Sequence, residues 1–356
     1  MATGEAGARP DAVFELRPMN LADLLDAVVR LYRHNFGDLI RIAAVVHVPL
    51  GILQIASSAL AYGSFDVESP SPTINVSMVA GGIGMVLYWL IFLLTMPIVQ
   101  GAMAKAVAQS HLGEETSVIG AYRFALRRWF SLLMATLLQG LVHMGAAIVP
   151  LLPAAAIFVQ GVIASGGDMP NIGVAVIALG ILGVLVSTVI WTIVFVKLFF
   201  GPLTVVLEDR GAVEALTRSW TLTGGHFIRV ALTMFVVIML TAVLTYVVVV
   251  PAQLGAILLQ SVSMAAGQAL MGACVTVAQL LLQPVQIVAT VLLYYDLRMR
   301  KEGFDLVMMA ETIGEPQLAV RTPEGEAKPA SALYGHDMPT VHGPPPAPPP
   351  PHAPME

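Results

Sequence analysis

The stretch Val230–Tyr295 decides the class of fold, and it reads VALTMFVVIMLTAVLTYVVVVPAQLGAILLQSVSMAAGQALMGACVTVAQLLLQPVQIVATVLLYY. It runs for 66 residues without one Asp, Glu, Lys or Arg. About 20 consecutive apolar residues cross the hydrocarbon core of a bilayer. The stretch therefore predicts two membrane crossings joined by a short turn.

The rest of the chain has the same character. Of its 356 residues, 57% are hydrophobic and 12% are charged, whereas an ordinary soluble domain is about 25% charged. We expect an all-α polytopic transmembrane helical bundle with six spans, near residues 39–62, 78–104, 130–160, 172–200, 229–258 and 267–296. The predicted organisation is an N-terminal segment 1–18, a transmembrane domain 19–310 and a disordered tail 311–356.

The distribution of basic residues predicts the orientation. All 18 Lys and Arg residues lie in the N-terminal segment, the two longer loops, the adjoining span ends or the tail, and the three short loops contain none. Positively charged flanks remain in the cytoplasm. We therefore expect a multi-pass protein of the cell membrane with both termini cytoplasmic.

A short amphipathic segment precedes each predicted pair of spans. The three segments cover residues 20–36, 116–129 and 211–223, so the chain reads as three repeats of short helix, span and span. Pro49, Pro150 and Pro251 recur at intervals of 101 residues in the first span of each pair, and repetition at a fixed interval is typical of structural repeats. Pro97, Pro202 and Pro284 fall in the second spans.

The amphipathic segments suggest contacts with lipid. A helix that lies in the membrane interface buries its apolar face and presents Arg to the headgroups, but a cytosolic helix packed on the spans would show the same pattern. In the third segment, Val213, Leu216 and Trp220 form the predicted apolar stripe. In the second, Ile119 and Leu126 are expected opposite the arginines. The candidate contacts for anionic headgroups are Arg30, Arg33, Arg123, Arg127, Arg128 and Arg218.

Ionisable side chains within the spans are the second group of candidates, since burying them in lipid costs several kcal/mol. They are His47, Lys105, His143 and Lys197. Lys105 and Lys197 lie near span ends, where a lysine can extend to the interface. His47 precedes Pro49, so it could bond to a carbonyl that the proline frees. A polar substrate path is the alternative interpretation of this group.

No motif for catalysis, metal binding or a cofactor is visible, and we predict none of these activities and no nucleic-acid partner. The lone Cys274 lies in an apolar run and reads as a small buried side chain. The tail holds 12 of the 24 prolines. Its His342–Pro354 stretch favours polyproline II, which can dock on a partner protein, although such segments are more often plain disordered tails.

Three stretches resemble the bacterial glycerophosphoryl diester phosphodiesterase membrane-domain family: Leu16–Phe36 (LRPMNLADLLDAVVRLYRHNF), Val205–Val230 (VVLEDRGAVEALTRSWTLTGGHFIRV) and Leu292–Asp305 (LLYYDLRMRKEGFD). The family takes its name from relatives in which such a region precedes a soluble phosphodiesterase barrel. Only 51 residues follow Asp305 here, whereas a (β/α)₈ barrel needs about 250. The resemblance therefore implies the membrane module without the phosphodiesterase domain.

The sequence is compatible with three functions. The first is a non-catalytic membrane module or scaffold that interacts with lipids or partner proteins. The second is a transporter or permease for a lipid or small amphiphile, suggested by the prolines and polar residues within the spans. The third is a membrane enzyme acting on glycerophosphodiesters, which only the name of the resembling family suggests.

Overall fold

The computed structural model describes residues 19–63, 75–111, 117–166 and 173–302, together with the residue pairs 320–321 and 327–328. The described chain is helical almost throughout, which confirms the all-α prediction. Its helices are α1 Leu21–His34, α2 Phe36–Tyr62, α3 Val76–His111, α4 Val118–Arg127, α5 Trp129–Ile148, α6 Leu151–Ala164, α7 Val174–Leu198, α8 Gly201–Leu207, α9 Ala212–Leu222, α10 Phe227–Gln260 and α11 Met264–Glu302. A two-residue antiparallel pairing joins β1 Val320–Arg321 to β2 Ala327–Lys328. The predicted segment 1–18, and the predicted tail 311–356 apart from this pairing, lie outside the described residues.

Six stretches within the described residues are long and apolar enough to cross a membrane. They are Phe36–Tyr62, Val76–His111, Trp129–Ala164, Val176–Leu207, Phe227–Gln260 and Met264–Glu302. Each pair follows one short helix, α1, α4 or α9. The order short helix, span, span therefore occurs three times, as the sequence pattern predicts.

The prolines act differently in the three pairs of spans. Helices α2, α3, α10 and α11 continue through their prolines. In the middle pair, Pro150 separates α5 from α6, and the helix preceding Pro202 ends at Leu198. A proline removes one helical hydrogen bond and crowds the preceding turn. In this protein that disturbance interrupts the helix only in the middle pair.

The ends of the short helices follow local rules. Asn20 accepts a hydrogen bond from the backbone of Asp23 at 2.9 Å while the Asp23 carboxylate accepts from the backbone of Asn20. This reciprocal arrangement satisfies two of the amide groups that a helix start leaves unpaired. The last of the short helices, α9, ends at Leu222, and Gly225 takes a φ of 82° that permits the chain to reverse into α10.

Helix α11 lies at the centre of the packing, against α1, α2, α3 and α10. Helices α2 and α3 approach each other closely, because a Cβ on Gly81 would lie 2.2 Å from the backbone nitrogen of Ala61. Small residues allow transmembrane helices to approach in this way. By contrast, α6 buries none of its side chains. The hairpin of α6 and α7 is therefore exposed over most of its surface.

Candidate functional site

The three short helices lie at one end of the bundle, which we call the basic end. Three contacts between distant elements place them there: Met19 with Asp296, Tyr122 with Ile42, and Arg218 with Glu302. The first joins the start of α1 to the end of α11, the second joins α4 to the start of α2, and the third joins α9 to the end of α11. The helices that carry the candidate arginines therefore lie at the same end of the protein.

Helix α1 is covered by protein on its apolar side. Leu24 and Leu31 are completely buried, and the Tyr32 hydroxyl donates a hydrogen bond to the carbonyl of Leu281 at 2.9 Å. Because Met19 contacts Asp296 and Tyr32 contacts Leu281, α1 runs antiparallel alongside α11. Of the two arrangements that the sequence allows, α1 takes the packed one. Arg30 and Arg33 remain exposed on its outer side.

Helix α4 presents a mixed apolar and basic face. Ile119 is 72% exposed and Leu126 is 57% exposed, and Arg123 and Arg127 are exposed on the same side of the helix. The prediction that the apolar pair lies opposite the arginines is wrong. Ala125 is fully buried instead, because its small side chain lets α4 approach α3 closely.

Helix α9 also leaves large apolar side chains uncovered. Val213 and Trp220 are exposed, whereas Leu216 is buried. The predicted stripe of these three residues therefore divides between the outside and the protein interior. The Lys197 ammonium lies 5.4 Å from the centre of the Trp220 ring, a distance at which a cation and an aromatic ring attract.

Ion pairs engage two of the candidate arginines, Arg128 and Arg218. Arg128 pairs with Asp209 and lies 4.9 Å from the centre of the Phe124 ring. Arg218 pairs with Glu208 and Glu302. Both side chains therefore connect elements of the protein, and any headgroup they contact would compete with these carboxylates.

The four ionisable residues of the spans do not converge on one site. Lys105 lies 5.1 Å from the centre of the Phe124 ring of α4, and Lys197 lies over Trp220 of α9. His47 Nδ1 lies 2.9 Å from the carbonyl oxygen of Ala43, which is not the carbonyl that Pro49 frees. Each of these residues is explained by its own neighbours.

His143 lies among aromatic rings of α7. Its ring centre is 5.4 Å from that of Phe195 and 6.4 Å from that of Trp191. Its Nε2 is buried and has no hydrogen-bond partner in the part of the chain that the structure describes. The surroundings of His143 are therefore aromatic and apolar, which does not favour a path for a polar substrate.

The basic end contains a buried ionic cluster that sequence inspection does not reveal. Its centre is Glu208, which follows α8 and is 5% exposed. Arg218 Nε donates to both Glu208 oxygens at 2.9 Å, and Arg210 Nε donates at 2.8 Å. The Tyr294 hydroxyl donates to the same carboxylate. Arg298 lies on the far side, with its Nε 3.9 Å from Glu208.

The cations of this cluster determine the charge state of Glu208. Burial disfavours the charged carboxylate, but Arg218, Arg298 and Arg210, together with the hydrogen bond from Tyr294, outweigh that effect and lower the pKa of Glu208 below its ordinary value. Glu208 is therefore ionised at neutral pH. Its charge holds the segment after α8 to α9 and α11.

A second buried carboxylate fixes the start of α1. Asp296 is completely buried and accepts a hydrogen bond from the Met19 backbone at 2.8 Å. Arg229 at the start of α10 donates to it at 3.0 Å, and Arg300 donates at 3.1 Å. Both arginines also donate to the Met19 carbonyl. Asp296 thus joins the start of α1 to α10 and α11.

The three stretches that carry the family resemblance meet in these two clusters. Met19 comes from the first stretch, Glu208 and Arg218 from the second, and Asp296 and Arg298 from the third. Their separation along the chain hides the pairing. The sequence YYDLR (residues 294–298) in the last stretch could have indicated it, because acid, base and tyrosine at the end of a span are expensive to leave unpaired.

The fold and this arrangement define a polytopic integral membrane protein with a basic end held together by buried ion pairs. Residues 39–297 match the family described as Domain of unknown function (DUF7847), and the chain belongs to that family. The matched region contains all but the outermost turns of the six spans. No curated protein and no solved structure matches the chain.

Proposed function

We propose that this membrane protein is a non-catalytic module of the cell membrane that binds anionic lipid headgroups of the cytoplasmic leaflet through α4 and α9. One observation carries the proposal: Arg123 and Arg127 are exposed on the same face of α4 as Ile119 and Leu126. Apolar side chains at the acyl boundary and arginines at the headgroups are the mark of an interfacial helix.

The position of α4 supports this proposal. Trp129, the first residue of α5, lies two residues beyond the end of α4, and its indole Nε1 donates to the carbonyl of Leu94 at 3.1 Å. Phe130, the next residue, is 66% exposed. Tryptophan is enriched where a span meets the membrane interface. The exposed apolar residues of α4 are thus followed by an exposed aromatic residue at the start of α5.

The proposal includes the orientation of the chain. The lysines and arginines that the structure describes between residues 19 and 302 lie at or near the basic end, and the rule that positive flanks stay inside assigns this end to the cytoplasm. Both termini then lie on the cytoplasmic side. Anionic lipids of that leaflet attract each nearby Lys or Arg by about 1 kcal/mol.

The surroundings of the histidines give a transport path less support. His47 is 3% exposed and bonds within its own helix, and His143 contacts aromatic rings. No group of three or more His, Cys, Asp or Glu residues that could hold a metal occurs in the described ranges. The resemblance of the sequence to the glycerophosphoryl diester phosphodiesterase membrane-domain family also agrees with a lipid-binding module.

The test compares lipid retention by purified variants. Arg123→Glu/Arg127→Glu should reduce the phosphatidylglycerol that remains bound in native mass spectrometry by at least about tenfold, since two attractions of about 1 kcal/mol each become repulsions. Arg123→Lys/Arg127→Lys keeps the charge and should retain the lipid. Equal retention by the folded glutamate variant and the wild type would remove the basis of the proposal.

A further inference from the structure

A cavity of about 270 Å³ lies between α3, α7, α8, α10 and α11. Its lining includes Gly101 and Ala104 of α3, Val206 of α8 and Leu293 of α11. Val206 is two residues from Glu208, and Leu293 precedes Tyr294. These lining residues therefore lie next to the ionic cluster of the basic end, and the cavity occupies the half of the bundle nearest to that end.

The lining is apolar except for four uncharged side chains. These are Gln100, Thr233, Gln286 and Thr290. Gln286 Nε2 donates to Thr241 at 3.0 Å, which leaves its carbonyl oxygen as an acceptor. For the Gln100 amide, the described residues supply no hydrogen bond. The cavity thus offers amide groups without any charged side chain on its wall.

The cavity opens towards the bilayer. Ile238 and Gln286 line it and are also exposed on the outside of the bundle. They lie beside a seam in the packing, since α7 packs mainly against α5 and α6 whereas α10 packs mainly against α11. A molecule dissolved in the lipid phase can therefore enter from the side, between α7 and α10.

We propose that this cavity binds the acyl chain of a neutral lipid, with the Gln286 carbonyl oxygen accepting a hydrogen bond from a hydroxyl group of the lipid and the Gln100 amide donating one to its ester carbonyl oxygen. The volume lies just below the range of pockets that hold drug-sized ligands, so it suits one chain and not two. A carboxylate inside would be buried without a partner, which is costly. A monoacylglycerol has a single acyl chain and no charge, whereas a fatty acid anion has a single acyl chain but carries a carboxylate. This site goes beyond the headgroup contacts of α4 and does not depend on them.

The experiment uses the purified full chain and a monoacylglycerol with a diazirine in its acyl chain. After photolysis, peptide mapping by mass spectrometry should find the label concentrated in residues 100–104, 195–206 and 286–293. Unlabelled monoacylglycerol should displace it, and a fatty acid of equal chain length should displace it less. Label spread evenly over α6 and α7, or equal displacement by the two competitors, would overturn the proposal.

Two pairs of variants test the walls of the cavity. Ala289→Phe fills it and should lower the labelling by at least about tenfold, whereas Ala178→Phe makes the same change on an exposed position of α7 and should not. Gln286→Leu removes one hydrogen bond and should lower labelling about fivefold, and Gln160→Leu on exposed α6 is its control.

Thr290→Leu narrows the same wall as Ala289→Phe and replaces that variant should the larger side chain prevent folding. Arg123→Glu/Arg127→Glu should leave the labelling unchanged, which separates this site from the headgroup contacts. Unchanged labelling in folded Ala289→Phe or Thr290→Leu would show that the chain binds elsewhere and would refute the inference.

Discussion

Arg218 Nε lies 2.9 Å from both carboxylate oxygens of Glu208, and the two residues join the start of one pair of spans to the end of another. Glu208 follows the fourth span and Arg218 lies on α9, the short helix before the fifth. Arg218 also pairs with Glu302 at the end of the sixth span. One guanidinium group therefore ties the middle repeat to the last repeat.

Removing the charge of Glu208 should destabilise the bundle. Glu208→Gln leaves Arg218, Arg210 and Arg298 close together with one carboxylate fewer, and breaking a buried ion pair costs about 3–5 kcal/mol. We expect a loss of this size in unfolding by sodium dodecyl sulfate in mixed micelles. Glu214→Gln changes an exposed acid of α9 and should alter stability by less than about 0.5 kcal/mol. Similar values for the two variants would refute a stabilising role of the cluster.

The lowered pKa of Glu208 predicts a dependence of stability on pH. A carboxylate with a lower pKa in the folded state contributes stability above its ordinary value of 4.5 and loses it as the pH falls through the lowered pKa. Between about pH 6 and about pH 3, the melting temperature of the wild type should fall more steeply than that of Glu208→Gln. Other carboxylates titrate in both proteins, so the difference between the two curves reports Glu208. Parallel curves would contradict the expectation.

Asp296 should control the attachment of α1. Asp296→Asn weakens the bonds to Arg229, Arg300 and the Met19 backbone. Amide exchange in α1, measured by hydrogen–deuterium exchange, should become at least about tenfold faster, since a loss of about 1.4 kcal/mol changes an equilibrium tenfold. Asp26→Asn, an exposed position on α1, is the control. Equal exchange in the two variants would show that α1 is held by its apolar face alone.

Two neighbouring glycines offer a matched test of helix packing. A Cβ on Gly81 would lie 2.2 Å from the backbone of Ala61, whereas a Cβ on Gly82 meets nothing within 4 Å. Gly81→Ala should destabilise the protein by about 1–3 kcal/mol because α2 and α3 must separate. Gly82→Ala should be neutral or stabilise by about 0.5–1 kcal/mol. The melting temperature of Gly81→Ala should therefore be lower than that of Gly82→Ala. A lower melting temperature for Gly82→Ala would contradict the packing of α2 on α3.

The sequence predicts the spans well because crossing a bilayer demands length and apolar composition, and both are visible in a stretch such as Val230–Tyr295. It predicts the faces of the short helices poorly. Ile119 and Leu126 are large apolar residues that suggest a buried face, yet residues three or four apart share one side of a helix, so they lie beside Arg123 and Arg127. Ala125 faces the protein instead. A wheel shows that a face is apolar, but it does not show whether protein or lipid covers that face.

The candidate site was the harder part to predict. His47, Lys105, His143 and Lys197 attract notice because they interrupt apolar runs, but they have different neighbours and do not come together in one site. Glu208 and Asp296 lie at span ends, where charges are ordinary, and their partners are up to 277 residues away. Such pairings depend on which helix ends meet, and that is a property of the tertiary packing.

The exposed face of α4 should lie in the membrane interface. A nitroxide at Ile119→Cys, in a Cys274→Ser background that removes the single cysteine, reports its depth in vesicles containing phosphatidylglycerol. Asp26→Cys on the exposed side of α1 provides the aqueous reference. We predict that the label at position 119 lies about 5–10 Å below the headgroup surface, with greater access to oxygen than to a water-soluble nickel complex. A label at position 119 as accessible to the nickel complex as the one at position 26 would contradict the account.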